Sequence, residues 1–135
     1  MNLPNLNEIK KTLKKLENTY EVVLYGSYVE ESMRPTSDID ISVLTRLNDK
    51  EQNKIIQYNL FSAAPLKYEI RVFELLPIFI QISVISNYKV IFGDLLEISE
   101  YFYDFRKKWD DCKHRILNNQ FTSIQERLDL MTSKN

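Results

Sequence analysis

The chain has 135 residues, with 18 Lys+Arg against 19 Asp+Glu for a formal net charge of -1, and 44% of it is hydrophobic. That length fits one domain, the apolar fraction fits a packed core, and near-neutrality excludes a protein that coats nucleic acid through bulk charge. The single cysteine, Cys112, excludes a disulfide framework and a cysteine-built zinc site. Residues 1–5 lack the charged and apolar regions of a signal peptide. The most apolar stretch, 75–85, is broken by Pro77, Gln81 and Ser83; a bilayer span needs about 20 apolar residues. The expectation is a soluble, cytoplasmic protein of one domain over 1–135, with a core at about 15–93 and C-terminal helices at about 94–131.

In chain order, Leu3, Leu6, Ile9, Leu13 and Leu16 form a helical stripe that Asn5 or Asn7 can cap, with Lys10, Lys11, Lys14 and Lys15 on the solvated side. Residues 20–25 are rich in strand formers and stop at Gly26, one of only two glycines; the other is Gly93. From Asp38 to Thr45, Ile39, Ile41 and Val43 alternate with Asp38, Asp40 and Ser42, which predicts a strand. A helix is expected over 49–64, stopped before Pro65, and then a strand over 66–73 with Lys67, Glu69 and Arg71 on one face. Residues 75–86 fit either period; Pro77 suits a first helical turn and favours helix. Residues 88–92 form a short strand ending at Gly93.

From Leu95 the spacing becomes three, four, three, four through Ile98, Phe102, Phe105, Trp109, Cys112 and Ile116, a long amphipathic helix. Its stripe reads most simply as packing on the protein's own sheet, with Cys112 as a small core residue. It also offers a homodimer or partner surface. A break is expected at Asn118-Asn119-Gln120, with Ser123 and Glu126 as the capping box of a further short helix. Strands alternating with helices, followed by a helical tail, indicate an α/β (α+β) domain around a small mixed sheet.

The stretch from Gly26-Ser27 to Asp38-Ile39-Asp40 carries chemistry. A glycine ending a strand lets a ligand approach the backbone, and a serine at the start of a short helix offers donors to phosphate. Asp38 and Asp40 project from one strand face, where their mutual repulsion calls for a cation. Hard oxygen ligands favour Mg2+, which binds one or two carboxylates together with substrate phosphates. Glu69, outward on another strand, can be the third carboxylate, although a salt bridge to Arg71 or Lys67 explains it as well; Glu74 is the alternative. Three acids around a metal pair beside a phosphate-binding turn describe phosphoryl or nucleotidyl transfer.

Gly26-Ser27, ten intervening residues and Asp38-Ile39-Asp40 resemble the signature of the DNA polymerase beta-type nucleotidyltransferases. The run from Tyr68-Glu69-Ile70-Arg71 through Pro77 to Gly93, and the helix with Tyr101 and Tyr103, are similar to the minimal nucleotidyltransferase (MNT) branch. The resemblance covers about residues 15 to 115. It implies a polymerase beta-like fold, with Gly26 and Ser27 on the β/γ phosphates of a nucleoside triphosphate and two Mg2+ ions on Asp38, Asp40 and Glu69. Arg34, Pro35 and Ser37 match frequent residues of the intervening loop, so Arg34 and Ser37 join the nucleotide-binding candidates. Many members carry Ala-Arg-Gly where this chain has Val29-Glu30-Glu31, an exchange of cation for acid that should weaken nucleotide binding if residue 30 faces the triphosphate.

By the same resemblance, the reaction would be AMP transfer from ATP to an acceptor hydroxyl, that of a tyrosine of a HEPN-domain toxin that this protein restrains as an antitoxin. Arg106 and His114 do not have the Arg-x4–6-His spacing of HEPN ribonucleases, so any toxin domain lies in another chain. The competing readings are a non-catalytic module that neutralises a partner by binding it, and transfer to a small molecule such as an aminoglycoside. No membrane and no bulk nucleic-acid partner is expected.

Overall fold

The structure, a computed structural model, describes residues 4–30 and 38–132, with side chains as far as Lys113. The chain divides into two compact units, Met1–Ser99 and Glu100–Asn135.

The first unit is built on a four-stranded mixed sheet. Its strands are β1 (Glu21–Tyr25), β2 (Ile39–Leu44), β3 (Tyr68–Val72) and β4 (Lys89–Phe92), in the spatial order β3-β2-β1-β4. β2 and β4 run antiparallel to β1, and β3 runs parallel to β2. A parallel pair needs a crossover, and helix α2 (Lys50–Leu60) supplies it. Helix α1 (Leu6–Thr12), a 3-10 turn at Lys14–Leu16 and helix α3 (Ile78–Ser86) complete the pattern.

Side-chain alternation fixes which face is core. Val22, Leu24, Ile39, Ile41, Val43, Ile70 and Val72 point to one face and bury with Ile9, Leu13 and Leu16 from the N-terminal stripe and Leu60 from α2. Asn5, rather than Asn7, caps α1 by accepting from the Glu8 N–H at 2.9 Å. Asp49 caps α2, its Oδ1 accepting from Glu51 and Gln52. The opposite face of the sheet carries the polar set, in rows that cross the strands: Tyr25, Asp40 and Glu69, then Val23, Ser42 and Arg71.

Two details position the edge of the site. β3 is an edge strand, whose free backbone groups invite unwanted pairing. The Gln57 amide of α2 covers them, donating to the Ile70 carbonyl at 2.8 Å and accepting from the Val72 N–H at 2.7 Å. α2 also ends earlier than expected: Phe61 is its C-cap, and the Ala63 N–H bonds the Leu60 carbonyl at 3.0 Å in a tight turn. The expected 49–64 helix therefore stops four residues short. Phe61 and Leu66 stay exposed on the resulting loop.

Helix α4 (Leu95–Thr132) is continuous, which corrects the expected break at Asn118-Asn119-Gln120. Asn and Gln cost only tenths of a kcal/mol, up to about 0.7, relative to Ala and do not remove the backbone N–H as Pro does. Ser123 accordingly lies inside a helix rather than at its start. Burial along the stripe is uneven. Ile98 and Phe102 are buried, Phe105 and Trp109 are half-buried, and Cys112 is exposed, so the expectation that Cys112 is a core residue fails. In the second unit, Tyr101 meets Phe105 edge-on at 5.0 Å between ring centres. Among the described residues no helix is long and apolar enough to cross a membrane.

Candidate active site

Register brings the acids together. Tyr25, Asp40 and Glu69 are direct partners across β1, β2 and β3, a row about 9.5 Å across at the usual strand spacing. Asp38, two residues before Asp40, stands at the exposed mouth of β2, where side-chain parity gives it the Asp40 face. Asp40 is only partly exposed.

The turn after β1 closes over this row. Gly26 has φ +77°, in the left-handed region that favours glycine. A Cβ at Gly26 would run into Asp40 Oδ2 and would lie 3.1 Å from Asp40 Cγ. Glycine is therefore required twice, by backbone angle and by the carboxylate packed against it. Gly26–Tyr28 forms one 3-10 turn, shorter than the helix the sequence suggested. So brief a turn carries little macrodipole, and a phosphate here would be held by backbone N–H groups and the Ser27 hydroxyl. The turn is anchored from behind: Tyr28 donates its hydroxyl to the Pro4 carbonyl at 2.6 Å. The Val29 and Glu30 N–H groups bond the Gly26 carbonyl at 3.1 and 3.0 Å, and Glu30 itself is exposed. Arg34, Pro35, Ser37 and Glu31 lie outside the described residues.

The electrostatics are those of crowded acid. Burial, then the charge of Glu69, a hydrogen bond to Glu69 and the charge of Asp38 push the Asp40 carboxyl up to about 6, with Arg71 opposing. Glu69 is held below its ordinary value, chiefly by the hydrogen bond from Arg71, and further by Arg71's charge and a hydrogen bond with Asp40. As pH falls, Asp40 therefore takes up a proton before Glu69, which keeps its charge to more acid pH. Beneath them, burial and the charges of Asp40 and Glu69 raise the Tyr25 phenol to about 12, so it stays neutral.

Arg71 binds the Glu69 carboxylate through Nε at 3.1 Å and through Nη2. The salt bridge that the sequence allowed is therefore real, and it coexists with the Asp40 contact. Among the described residues no three His, Cys, Asp or Glu side chains are gathered tightly enough to hold a metal ion, and Arg71's hold on Glu69 gives a reason. The donor chemistry nonetheless fits a hard divalent cation. The oxygens are carboxylate, part of what raises Asp40 is repulsion from Glu69 and Asp38 that a cation would relieve, and Asp38 adds its oxygens at the mouth. Glu74, the alternative third acid, lies elsewhere. Its carboxylate accepts from the Thr45 N–H at 3.1 Å and the Arg46 N–H at 3.0 Å, past the far end of β2.

The family model for the polymerase beta nucleotidyltransferases matches residues 7–95. The chain belongs to that family. Within it, the chain is 40% identical over 115 residues to the "Putative protein adenylyltransferase" of Methanocaldococcus jannaschii, a match covering 85% of this chain and 89% of the relative. Two solved structures share the nucleotidyltransferase fold. One is a chain of a toxin-antitoxin crystal structure with AMP-PNP, at 21% identity and TM-score 0.57, covering 87% of this chain and 99% of that one. The other is a chain from a tri-AMPylated Shewanella oneidensis HEPN toxin in complex with MNT antitoxin, at 18% identity and TM-score 0.53, covering 86% and 95%.

The sequence allowed a salt bridge from Glu69 to Arg71 or Lys67 without choosing between them, and it did not point to the cavity of about 200 Å3 beside Asp38 and Glu69, walled in part by Phe61, Leu66 and Tyr68. The Glu-x-Arg parity of β3 was the available signal for the first. The second had none, because it depends on where α2 ends.

Proposed function

We propose that this nucleotidyltransferase moves AMP from ATP to the hydroxyl of a tyrosine in a HEPN-domain partner, acting as its antitoxin in the cytoplasm. The observation that carries the reading is the row in which Asp40 and Glu69 pair in register, with Asp38 at its mouth and Gly26 packed against Asp40. The Methanocaldococcus relative, an adenylyltransferase by name, and the toxin-antitoxin neighbours support the choice of AMP and of a protein acceptor.

In this reading Gly26 and Ser27 hold the β and γ phosphates, and Asp38, Asp40 and Glu69 hold two Mg2+ ions. Bound there, the ions would neutralise phosphate charge and polarise the α-phosphate. Arg34 and Ser37 stand as further nucleotide contacts from the intervening loop. The acceptor oxygen forms a bond to the α-phosphorus as the bond from that phosphorus to the leaving oxygen breaks. Pyrophosphate departs with the electron pair, and the hydroxyl proton passes to the Glu69 carboxylate. Arg71 holds that carboxylate in place, and by lowering its value makes it a weaker base.

A second reading, a binding module without catalysis, draws on the Glu69–Arg71 pair, which occupies the third acid. Incubation with α-labelled ATP, Mg2+ and a HEPN-domain protein separates them. Label on the partner that disappears in Asp38→Asn and Asp40→Asn is expected; neutralisation of the partner that survives both substitutions, with no label, would overturn the enzyme.

A further inference from the structure

One opening in the fold adjoins the acid row from the side away from Gly26. The cavity beside β3 measures about 200 Å3 and has Asp38 and Glu69 in its wall, with Phe61, Pro65, Leu66 and Tyr68 as the apolar part. Leu66 is 99% exposed and Phe61 70% exposed, although both are large apolar side chains that folding usually covers. They are held outward because α2 stops at Leu60 and the chain crosses to β3 through a loop containing Pro65. Exposed apolar side chains beside a charged centre are features of a surface that something else covers.

The order of the strands indicates the occupant. In-line displacement places the attacking oxygen opposite the leaving one. If the leaving pyrophosphate lies at Gly26-Ser27, after β1, and the α-phosphate lies over Asp38 and Asp40 of β2, the acceptor must arrive from β3. The cavity lies at that edge of the sheet, with Glu69 of the acid face and Tyr68 of the opposite face both in its wall. Pockets that enclose drug-sized ligands run to roughly 300–1,000 Å3, so this one is too small for a nucleotide and suits a single side chain. Its apolar wall is wasted on a serine or threonine hydroxyl. A phenol ring fills such a wall and carries its hydroxyl to the acidic end.

We infer that the Phe61–Leu66–Tyr68 cavity is the acceptor subsite, which takes the ring of the partner's tyrosine and turns its hydroxyl toward Glu69. The inference rests on the transfer reaction proposed above and adds the residues that select the acceptor. The bond made is tyrosine oxygen to α-phosphorus, and the bond broken is α-phosphorus to pyrophosphate oxygen. The proton goes to Glu69.

The test is steady-state transfer from α-labelled ATP with Mg2+ to a HEPN-domain protein, using Leu66→Ser and Phe61→Ser. Both side chains are exposed, so folding should survive, and thermal melting checks that it does. Phe79→Ser on α3, at a residue 63% exposed and outside this cavity's lining, is the control. The expected result is a rise of about tenfold or more in KM for the acceptor, with KM for ATP within twofold and the control at wild-type values. A raised KM for ATP with acceptor KM unchanged would make the cavity a nucleobase site and overturn the assignment, as would equal effects from the control. A wild-type chain that labels no acceptor removes the transfer reading and this subsite with it. Wild-type labelling with unchanged acceptor KM in both variants removes the subsite alone.

Discussion

The two ends of strand β2 handle charge in opposite ways. At the far end, Arg46 grips Glu21 through Nε at 2.6 Å and Nη2 at 2.9 Å. There Glu74 accepts from two backbone N–H groups and the Thr45 hydroxyl. Buried Asn53 ties Thr45 at 2.6 Å and the Leu47 carbonyl at 3.0 Å. At the near end Asp38, Asp40 and Glu69 crowd together, Arg71 binds Glu69, and burial with acid repulsion pushes Asp40 to about 6. Matched charge locks the far turn, whereas crowded acid marks the near end as the candidate site. The larger cavity of about 440 Å3 lies at the far end, beside Glu21, Thr45 and Arg46, so volume alone points away from the candidate site.

The largest effect should come from the near end. Asp40→Asn is expected to lower AMP transfer by about a thousandfold, equivalent to about 4 kcal/mol of transition-state stabilisation, in the α-labelled ATP assay. The same variant should be more stable than wild type without divalent ions. The raised Asp40 value corresponds to at most about 3 kcal/mol of burial and repulsion, reduced to about 1 kcal/mol because solvent screens a half-exposed group. A metal-free melting point up by about 4 °C is the expected readout. Loss of both activity and stability would mean that Asp40 is structural, like Glu74.

Gly26→Ala comes next. Left-handed backbone strain and the collision with Asp40 should together cost about 1–3 kcal/mol in denaturant unfolding and reduce transfer at least tenfold. Glu74→Ala tests the far end. It removes the acceptor of the part-buried Thr45 N–H and the exposed Arg46 N–H, for about 0.5–1.5 kcal/mol of stability, with KM for ATP and kcat unchanged. Transfer lost there would erase the contrast between the ends.

The smallest effect is one of pH. Because the folded Asp40 value lies above its unfolded one, the folded state takes up the proton first. Metal-free stability should therefore rise as pH falls from 7 through about 6 toward 4.5. Glu69 acts oppositely: its lowered value gives stability that is present above its unfolded value and lost only at more acid pH. Denaturant melts across pH 4.5 to 7 should show the rise in wild type and a flat profile in Asp40→Asn.

Much of this was legible in the sequence because it follows from local periodicity. The alternation of Ile39, Ile41 and Val43 with Asp38, Asp40 and Ser42 places the acids on one face without any knowledge of neighbours. Scarce glycine makes Gly26 conspicuous. What was not legible depends on pairing. Parity cannot say that β3 lies parallel to β2 with Glu69 level with Asp40, nor that Glu74 turns back to Thr45. The continuity of α4 through Asn118-Asn119-Gln120 was misread because weak helix formers without Pro or Gly lower stability without stopping the helix. Gln57 reads as one more polar helix residue until β3 is seen as the edge it covers.

The most direct measurement is calorimetric titration of AMP-PNP into wild type and Asp40→Asn, with and without Mg2+. Saturable binding that requires Mg2+ in wild type and is lost in Asp40→Asn is predicted. Binding indifferent to both the ion and the substitution would contradict a cation-dependent nucleotide centre at the near end of β2.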